Sequence, residues 1–308
     1  MEIIRNTTDF HIKEKTAVAI GKFDGIHRGH KLLLQEMRAC REDGYKTAVF
    51  TFDPTPSVFF GGNRVKELTT LEEKQDCFQR LGVDYLVEYP FNELTAAVEP
   101  EDYVREYLSG KMNAHFIVAG ADISFGKKGA GNAALLKRVA AECDCEVRIV
   151  EKIQYQGKEI SSTRVRQAVL KADMEEAQAL LGEPFSVSGE VLHGNALGRT
   201  IGFPTINLVV PKQKILPPNG VYFSDVWIDG KIFHGITNIG NKPTVGDGYA
   251  LGLETFLYDF NRDIYGRAVR VSLLHFVRKE QRFRDFAQLK DAISENVLQG
   301  KQYFRIES

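Results

Sequence analysis

Between Thr16 and about residue 184, short apolar runs alternate with longer stretches whose apolar positions recur every three to four residues. "TAVAIGKF", "KTAVFTF", "VDYLVEY", "AHFIVAG" and "EVRIVE" read as strands. "HKLLLQEMRACRED", "TLEEKQDCFQRLG", "PEDYVREYLSGKM" and "NAALLKRVAAECD" read as helices between them. This alternation predicts a parallel sheet covered by helices, in which ligands collect beyond the carboxyl ends of the strands. The loops "GKFDGIHRGH", "TFDPTP" and "AGADISFG" lie at such ends. A last helix, "TRVRQAVLKADMEEAQALL", is stopped by Gly182 and Pro184.

Beyond Pro184 the texture changes. "FSVSGEVL", "TIGFPTINLVV", "GVYFSDVWIDGKIFHGITNIG", "LGLETFLYDF" and "RAVRVSLLHFV" are short, β-branched and aromatic, with Gly, Asn, Asp and Pro turns between them. "IDGK" predicts a hairpin. An antiparallel barrel or sandwich is expected, closed by the amphipathic helix "FRDFAQLKDAISENVL". The pattern therefore predicts an α/β domain over 1–184 and a small antiparallel β domain with a C-terminal helix over 185–308.

Composition changes this picture little. The 308 residues suffice for two cores, and 40 basic against 41 acidic side chains give a formal charge of −1. No nucleic-acid partner is expected from such a balance. No run of eighteen apolar residues occurs, and "MEIIRNTTDFHIKEK" lacks the apolar centre of a signal peptide, so no membrane association is expected. Cys40, Cys77, Cys143 and Cys145 have neither CxxC spacing nor the density of a disulfide scaffold, which suits free thiols in a cytoplasmic protein.

Candidate chemistry concentrates in a few places. In "GKFDGIHRGH", His27 and His30 stand three apart, downstream of Asp24. They suit a metal site, a phosphate site or an ordinary strand-to-helix turn. A helical zinc pair prefers i,i+4 spacing, and no third ligand is near in sequence. A phosphate reading has a mechanism: glycines let the backbone approach, and a helix starting near Gly29 aims N–H groups and its positive end at an anion. "GKEISSTRVRQAV" adds Ser161, Ser162 and Thr163 just before a helix, then Arg164 and Arg166. The hydroxyls could simply cap that helix, but two arginines in its first turn oppose the macrodipole unless an anion lies between them. In the β region, "PTIN" reads as an ordinary turn entering a strand, although the oxygens of Thr205 and Asn207, two apart on one side of it, would also suit Mg²⁺ or phosphate. Glu254, among Leu251, Leu253 and Phe256, is a candidate proton acceptor or a plain strand glutamate. There is no Walker A motif: the run from Gly120 to Lys127 is one residue too long, and the run from Gly235 to Lys242 has asparagine at the lysine position.

"IHRGH" with "ISSTRVR" resembles the nucleotidyltransferase superfamily that includes class I aminoacyl-tRNA synthetases. Over the whole chain, the ordered set "GKFDGIHRGH", "TFDPTP", "AGADISFG", "ISSTRVR", "HGNALGRTIGFPTINL", "GVY", "TNIGNKPTV" and "LETFLYDFNRDIYG" resembles the bacterial bifunctional riboflavin kinase/FAD synthetase family. The resemblance implies a Rossmann-like nucleotidyltransferase domain and a β-barrel kinase domain. It implies phosphorylation of riboflavin by ATP to FMN, then transfer of AMP from a second ATP to FMN, giving FAD and pyrophosphate. Mg²⁺ is the implied cofactor, the partners are these small molecules, and protein partners are left open.

By the same resemblance His27 and His30 would contact the ATP phosphates, with Gly21, Phe23, Asp24 and Gly29 in the adjoining nucleotide pocket. Ser161, Ser162, Thr163, Arg164 and Arg166 would hold the phosphates from another side, and Asp122 would sit beside the flavin. In the kinase domain Glu254 would be the base, Thr205 and Asn207 the metal-binding pair, and Gly194, Gly198 and Gly202 the loop over the phosphates. The chain departs from the family pattern at Lys22 (asparagine is usual), Thr55 (histidine), Ile123 (an aromatic residue) and Asn132 (aspartate). One alternative is consistent with those departures, a kinase whose first domain has lost adenylyl transfer. Another, of a different class, is a flavin-binding regulator on a degenerate enzyme scaffold, against which the intact His27, His30, Thr205, Asn207 and Glu254 argue.

Overall fold

The computed structural model describes residues 1–62, 65–193, 202–243 and 249–307. The chain divides into two compact units, Met1–Ser162 and Thr163–Ser308.

The first unit is built on six parallel strands: β1 (Glu2–Arg5), β2 (Thr16–Ile20), β3 (Lys46–Asp53), β4 (Tyr85–Pro90), β5 (Ala114–Gly120) and β6 (Glu146–Val150). Helix α1 (Arg28–Ala39) follows β2; α2 (Pro56–Gly61) and α3 (Leu71–Arg80) follow β3; α4 (Glu93–Ala96) and α5 (Pro100–Asp102) follow β4; and α6 (Ala133–Glu142) follows β5. Alternate residues of β2 serve opposite cores. Ala17 and Ala19 pack with Leu34, Met37 and Phe78, while Val18 and Ile20 pack with Phe50, Leu108 and Leu136. Burial on both faces explains why this strand reads as one unbroken apolar run.

The spatial order β1-β4-β3-β2-β5-β6 positions the site. From β2 the chain moves outward through β3 and β4, then returns to place β5 on the other side of β2. Loops leaving β2 and β5 consequently diverge and open a crevice at the carboxyl end of the sheet. Gly21–His27 leaves β2 there, and Ala121–Asp122 leaves β5.

Some local structure differs from expectation. The helix expected over 100–112 is α5 followed by a π-helical segment, Tyr103–Lys111, whose end is marked by the i→i−5 bond from Met112 N–H to the Tyr107 carbonyl. A small hairpin, β7 (Gln154–Tyr155) and β8 (Lys158–Glu159), precedes the second unit. The single helix expected up to Leu181 is two, α7 (Ser162–Leu170) and α8 (Met174–Leu181). Ala172 between them takes φ 60°, and Asp173 caps α8 by accepting the Glu176 N–H at 2.9 Å.

The second unit closes β9 (Phe185–Leu192), β10 (Thr205–Val209), β11 (Gly220–Ile228), β12 (Lys231–Pro243), β13 (Tyr249–Leu257) and β14 (Ala268–Lys279) into an antiparallel barrel of order β10-β13-β12-β11-β14-β9. The β11–β12 hairpin is the expected two-residue turn, with Asp229 and Gly230 at φ 50° and 78°. Tyr222, Val226, Leu253 and Val271 fill the barrel with Ser224, Thr237 and Thr255, whose hydroxyls form a buried row at 2.8 Å spacings. Residues of opposite parity, Val221, Phe223 and Ile236, form an outer apolar face packed against Val297 and Phe304 of α9 (Phe286–Phe304). Helix α8 also packs on β14 and β9, so it clusters with the barrel although it precedes residue 184.

Candidate active sites

The β2–α1 loop is conformationally costly. Phe23, Gly25 and Ile26 have φ of 48°, 87° and 41°. A non-glycine residue there costs about 1–3 kcal/mol. Burial holds the two bulky ones in place: Phe23 sits edge-on to Phe78 at 5.4 Å and within 5.2 Å of the His30 ring. Asp24 ties the loop to the segment before α3, its Oδ1 accepting the Leu68 and Thr69 N–H groups at 2.7 and 3.4 Å. Ser162 Oγ donates to the Asp24 carbonyl at 2.8 Å.

His27 is the N-cap of α1. Its Nδ1 accepts the His30 N–H at 3.3 Å, a task usually given to Ser, Thr, Asp or Asn. That bond leaves the proton of the neutral ring on Nε2, which is therefore a donor. Gly29 makes room, since a Cβ there would press to 3.2 Å on the imidazole. The first turn of α1 has no acidic side chain to satisfy its positive end. The His30 ring stacks on His27 with centroids 3.8 Å apart, and its Nδ1 is buried with no hydrogen-bond partner among the described residues.

Burial lowers the His27 pKa to about 4 against an opposing pull from Asp122. Burial, then His27 and the Lys74 ammonium, hold His30 well below the usual histidine range. Both rings are accordingly neutral donors near pH 7. Asp122 itself is exposed and paired with Lys152 at 3.2 Å, which also holds Glu159 of β8 at 3.0 Å. Among the described residues no group of three or more His, Cys, Asp or Glu could hold a metal ion.

Arg164 is engaged within its own unit, its Nε and Nη2 reaching Glu176 Oε1 at 2.9 and 2.8 Å. An acidic partner on α8 thereby offsets a cation in the first turn of α7. Thr163 is exposed there, and Ser161 and Arg166 are partly buried.

In the barrel, Thr205 Oγ1 donates to Glu254 Oε1 at 2.7 Å. Strand register aligns Asn207, Glu254, Asn238, Val221 and Arg278 across β10, β13, β12, β11 and β14. Directly paired residues face the same side, so this row lies on the outer face toward α9. Two cavities meet at Thr205. One of about 300 Å³ lies against α9 and is walled by Phe203, Phe256, Phe283, Ile293, Arg278 and Glu254. The other, about 270 Å³, is bordered by Ile206, Thr255, Asn261, Arg262, Asp263 and Tyr265. Gly202 has φ 91°, with no described residue within 4 Å of where a Cβ would sit, while Gly194 and Gly198 lie outside the described residues.

Two family models match the chain: FAD synthetase over residues 9–164 and riboflavin kinase over 181–304. The bifunctional riboflavin kinase/FMN adenylyltransferase of Bacillus subtilis (strain 168) is 35% identical over 315 residues, covering 99% of this chain and 98% of that protein. The chain belongs to the bifunctional riboflavin kinase/FMN adenylyltransferase family. A riboflavin kinase/FMN adenylyltransferase of the same description from Escherichia coli (strain K12) is 36% identical over 298 residues, 95% of this chain and 94% of that one. A crystal structure described as a macrolide-efflux protein from Streptococcus pneumoniae shares the fold at TM-score 0.85 and 34% identity, over 99% of each chain. No helix among the described residues is long and apolar enough to cross a membrane.

Set against the riboflavin kinase/FMN adenylyltransferase pattern, three of the four departures have local partners, and nothing in the structure explains Lys22. Asn132 caps α6, accepting the Leu135 N–H at 3.0 Å, a role asparagine and aspartate share. Thr55 is buried and donates to Glu67 Oε1 at 3.3 Å, which also takes the Lys74 ammonium at 3.2 Å. Ile123 packs on the sheet core, and Lys22 is exposed. Sequence reasoning missed Lys152, Glu176, Arg278 and Phe283. Each gains its place through tertiary pairing, and no local motif marks it.

Proposed function

We propose that FMN adenylylation occupies the crevice beyond β2 and β5, and that riboflavin phosphorylation occupies the cavity beside Glu254. In the crevice the neutral imidazoles of His27 and His30, with the first N–H groups of α1, bind the phosphates of ATP. Gly21, Phe23, Asp24 and Gly29 shape that pocket, Ser161 and Ser162 lie at its edge, and Asp122 is on the flavin side. An FMN phosphate oxygen attacks the α-phosphorus of ATP, and the bond to pyrophosphate breaks. Donors fixed before the reaction stabilise the charge that develops. The stacked histidine pair on an acid-free helix N-terminus supports this reading.

In the barrel the flavin ring lies among Phe203, Phe256 and Phe283, and the nucleotide lies in the neighbouring polar cavity. The oxygens of Thr205 and Asn207 on one strand face, beside the Glu254 carboxylate, fit the hard-oxygen preference of Mg²⁺. When bound there, Mg²⁺ supplies charge neutralisation for the phosphates. Glu254 takes the proton of the ribityl 5′-hydroxyl, whose oxygen attacks the γ-phosphorus while ADP leaves. The single observation carrying this assignment is that Thr205, bonded to Glu254, borders both cavities.

The test is Glu254→Gln, which keeps shape but cannot accept a proton. FMN formation should fall by about 10²–10⁴, with riboflavin binding and FAD formation from supplied FMN retained. A variant that phosphorylates riboflavin at the parent rate removes Glu254 from the mechanism.

A further inference from the structure

Arg278 is the one cation among the described residues lining a cavity whose other walls combine eight apolar side chains with polar ones that include Glu254, Glu280 and Gln281. Its guanidinium is committed in a particular way. Nε and Nη2 both reach Asn296 Oδ1, at 3.1 and 2.9 Å, and Nη1 reaches the Lys279 carbonyl at 3.2 Å. Three of the five N–H groups an arginine carries are thereby used, which leaves two. Asn296, on α9, is only 5% exposed. Because its amide oxygen is taken by the fork, its rotamer is set and its Nδ2 remains the donor end. The guanidinium also lies 5.8 Å over the ring of Phe283.

Register places this group relative to the chemistry. Arg278, Val221, Asn238 and Glu254 form one row, so Arg278 and Glu254 are three inter-strand spacings apart, about 14 Å along the sheet. A fused tricyclic ring carrying a five-carbon polyol spans a distance of that order. If the hydroxyl end is at Glu254, the far end of the ring is at Arg278. That far end of an isoalloxazine is its pyrimidine edge, which bears the C2 and C4 carbonyls.

We propose that Arg278, oriented by Asn296, is a specificity-determining residue of the kinase site that donates hydrogen bonds to the carbonyl edge of the flavin ring. The inference rests on the flavin reading of the 300 Å³ cavity given above. Partial desolvation strengthens such charged hydrogen bonds and makes them costly to leave unmade by a ring without carbonyls. A site of this kind accepts flavins and rejects apolar tricyclic rings that would fill the same space.

The experiment compares the full-length protein with Arg278→Met and Arg278→Lys, using riboflavin and its 2-thio and 4-thio analogues, in which a carbonyl oxygen becomes a poor acceptor. The parent should bind at least one thio analogue about tenfold more weakly than riboflavin, and Arg278→Met should raise the riboflavin KM by about 10–100-fold, the scale of one charged hydrogen bond. The KM for ATP should be unchanged. Arg278→Met should also bind riboflavin and that analogue equally, and Arg278→Lys, with charge but no fork, should fall between. A purely structural role moves overall activity without abolishing discrimination between oxygen and sulfur. Discrimination that persists in Arg278→Met, or is absent from the parent, overturns the proposal. Ile293→Trp, which narrows the same cavity from α9, separates the two levels. Unchanged riboflavin affinity in that variant means the flavin binds elsewhere; weakened affinity alongside an unaffected Arg278→Met defeats only the present inference.

Discussion

The imidazoles of His27 and His30 stack 3.8 Å apart and 12° from parallel, and the backbone N–H of His30 donates to His27 Nδ1. One ring therefore both caps the helix and presents a donor. Substitution can separate these two duties.

Asparagine is among the best N-cap residues, whereas alanine is among the poorest, a difference of about 1 kcal/mol. His27→Asn should keep the cap and lose only the Nε2 donor. Its thermal stability should match the parent within about 0.5 kcal/mol, while adenylyl transfer falls about 10²-fold, the cost of one preorganised donor. His30→Ala should fall at least as far. Riboflavin phosphorylation, followed in the same samples by separating FMN from FAD, should be unaffected in both variants.

Acid should destabilise the first unit through the same pair. The folded-state pKa of His27 is about 4, below its ordinary value of 6.5, so between those values the unfolded chain binds more protons. The contribution is complete above pH 6.5 and is lost as pH falls toward 4. For a ring this buried the total is about 3 kcal/mol, from roughly 1.4 kcal/mol per unit. His30 adds to the slope with the same sign. Urea midpoints measured from pH 7.5 to 4.5 should drop more steeply for the parent than for His27→Asn. Parallel curves would show that His27 does not titrate on unfolding.

Gly300 offers a case in which two effects oppose each other. Alanine is favoured over glycine within a helix by about 1 kcal/mol. Here, however, a Cβ would overlap Tyr258 Oη and come within 3.3 Å of Phe223. The Tyr258 hydroxyl donates to the Val297 carbonyl at 2.7 Å, so moving it strands a buried polar group and shifts α9. That costs about 1–3 kcal/mol, more than the helical gain. Gly300→Ala should be less stable than the parent and should raise the riboflavin KM, because α9 forms one wall of the cavity. A raised melting temperature would show that the tyrosine moves without cost.

The two-texture reading of the chain anticipated the parallel sheet, an antiparallel barrel or sandwich, and the loop containing His27 and His30, because those features are written in local period and turn chemistry. The choice of barrel came from the family resemblance. Other features depend on partners remote in sequence. Strand β1 is four residues long and largely exposed at a sheet edge, so it has no buried run to mark it. The break between α7 and α8 falls on Ala172 at φ 60°, where a local rule asks for glycine or asparagine. Thr205 and Glu254 are 49 positions apart and meet only through barrel register. Their candidacy came from resemblance to a family, and Arg278 and Asn296, outside any quoted motif, were invisible.

The position of α8 leads to the last prediction. It precedes the change of texture near residue 184, yet Met174, Ala177 and Leu180 are fully buried and the helix packs on β14 and β9. Glu175 adds a contact to His275 of β14 at 2.6 Å. Burying one such large apolar side chain contributes about 1.5–3 kcal/mol, so removing this helix should weaken the barrel by several kcal/mol. A fragment of residues 163–308 should unfold cooperatively, phosphorylate riboflavin and make no FAD. The fragment 185–308, which follows the texture boundary, should show a lower urea midpoint and bind a hydrophobic dye through the face that α8 covers. Equal midpoints for the two fragments would mean that α8 adds nothing to the barrel. FAD formation by either fragment would mean that adenylyl transfer does not belong to the unit containing His27 and His30.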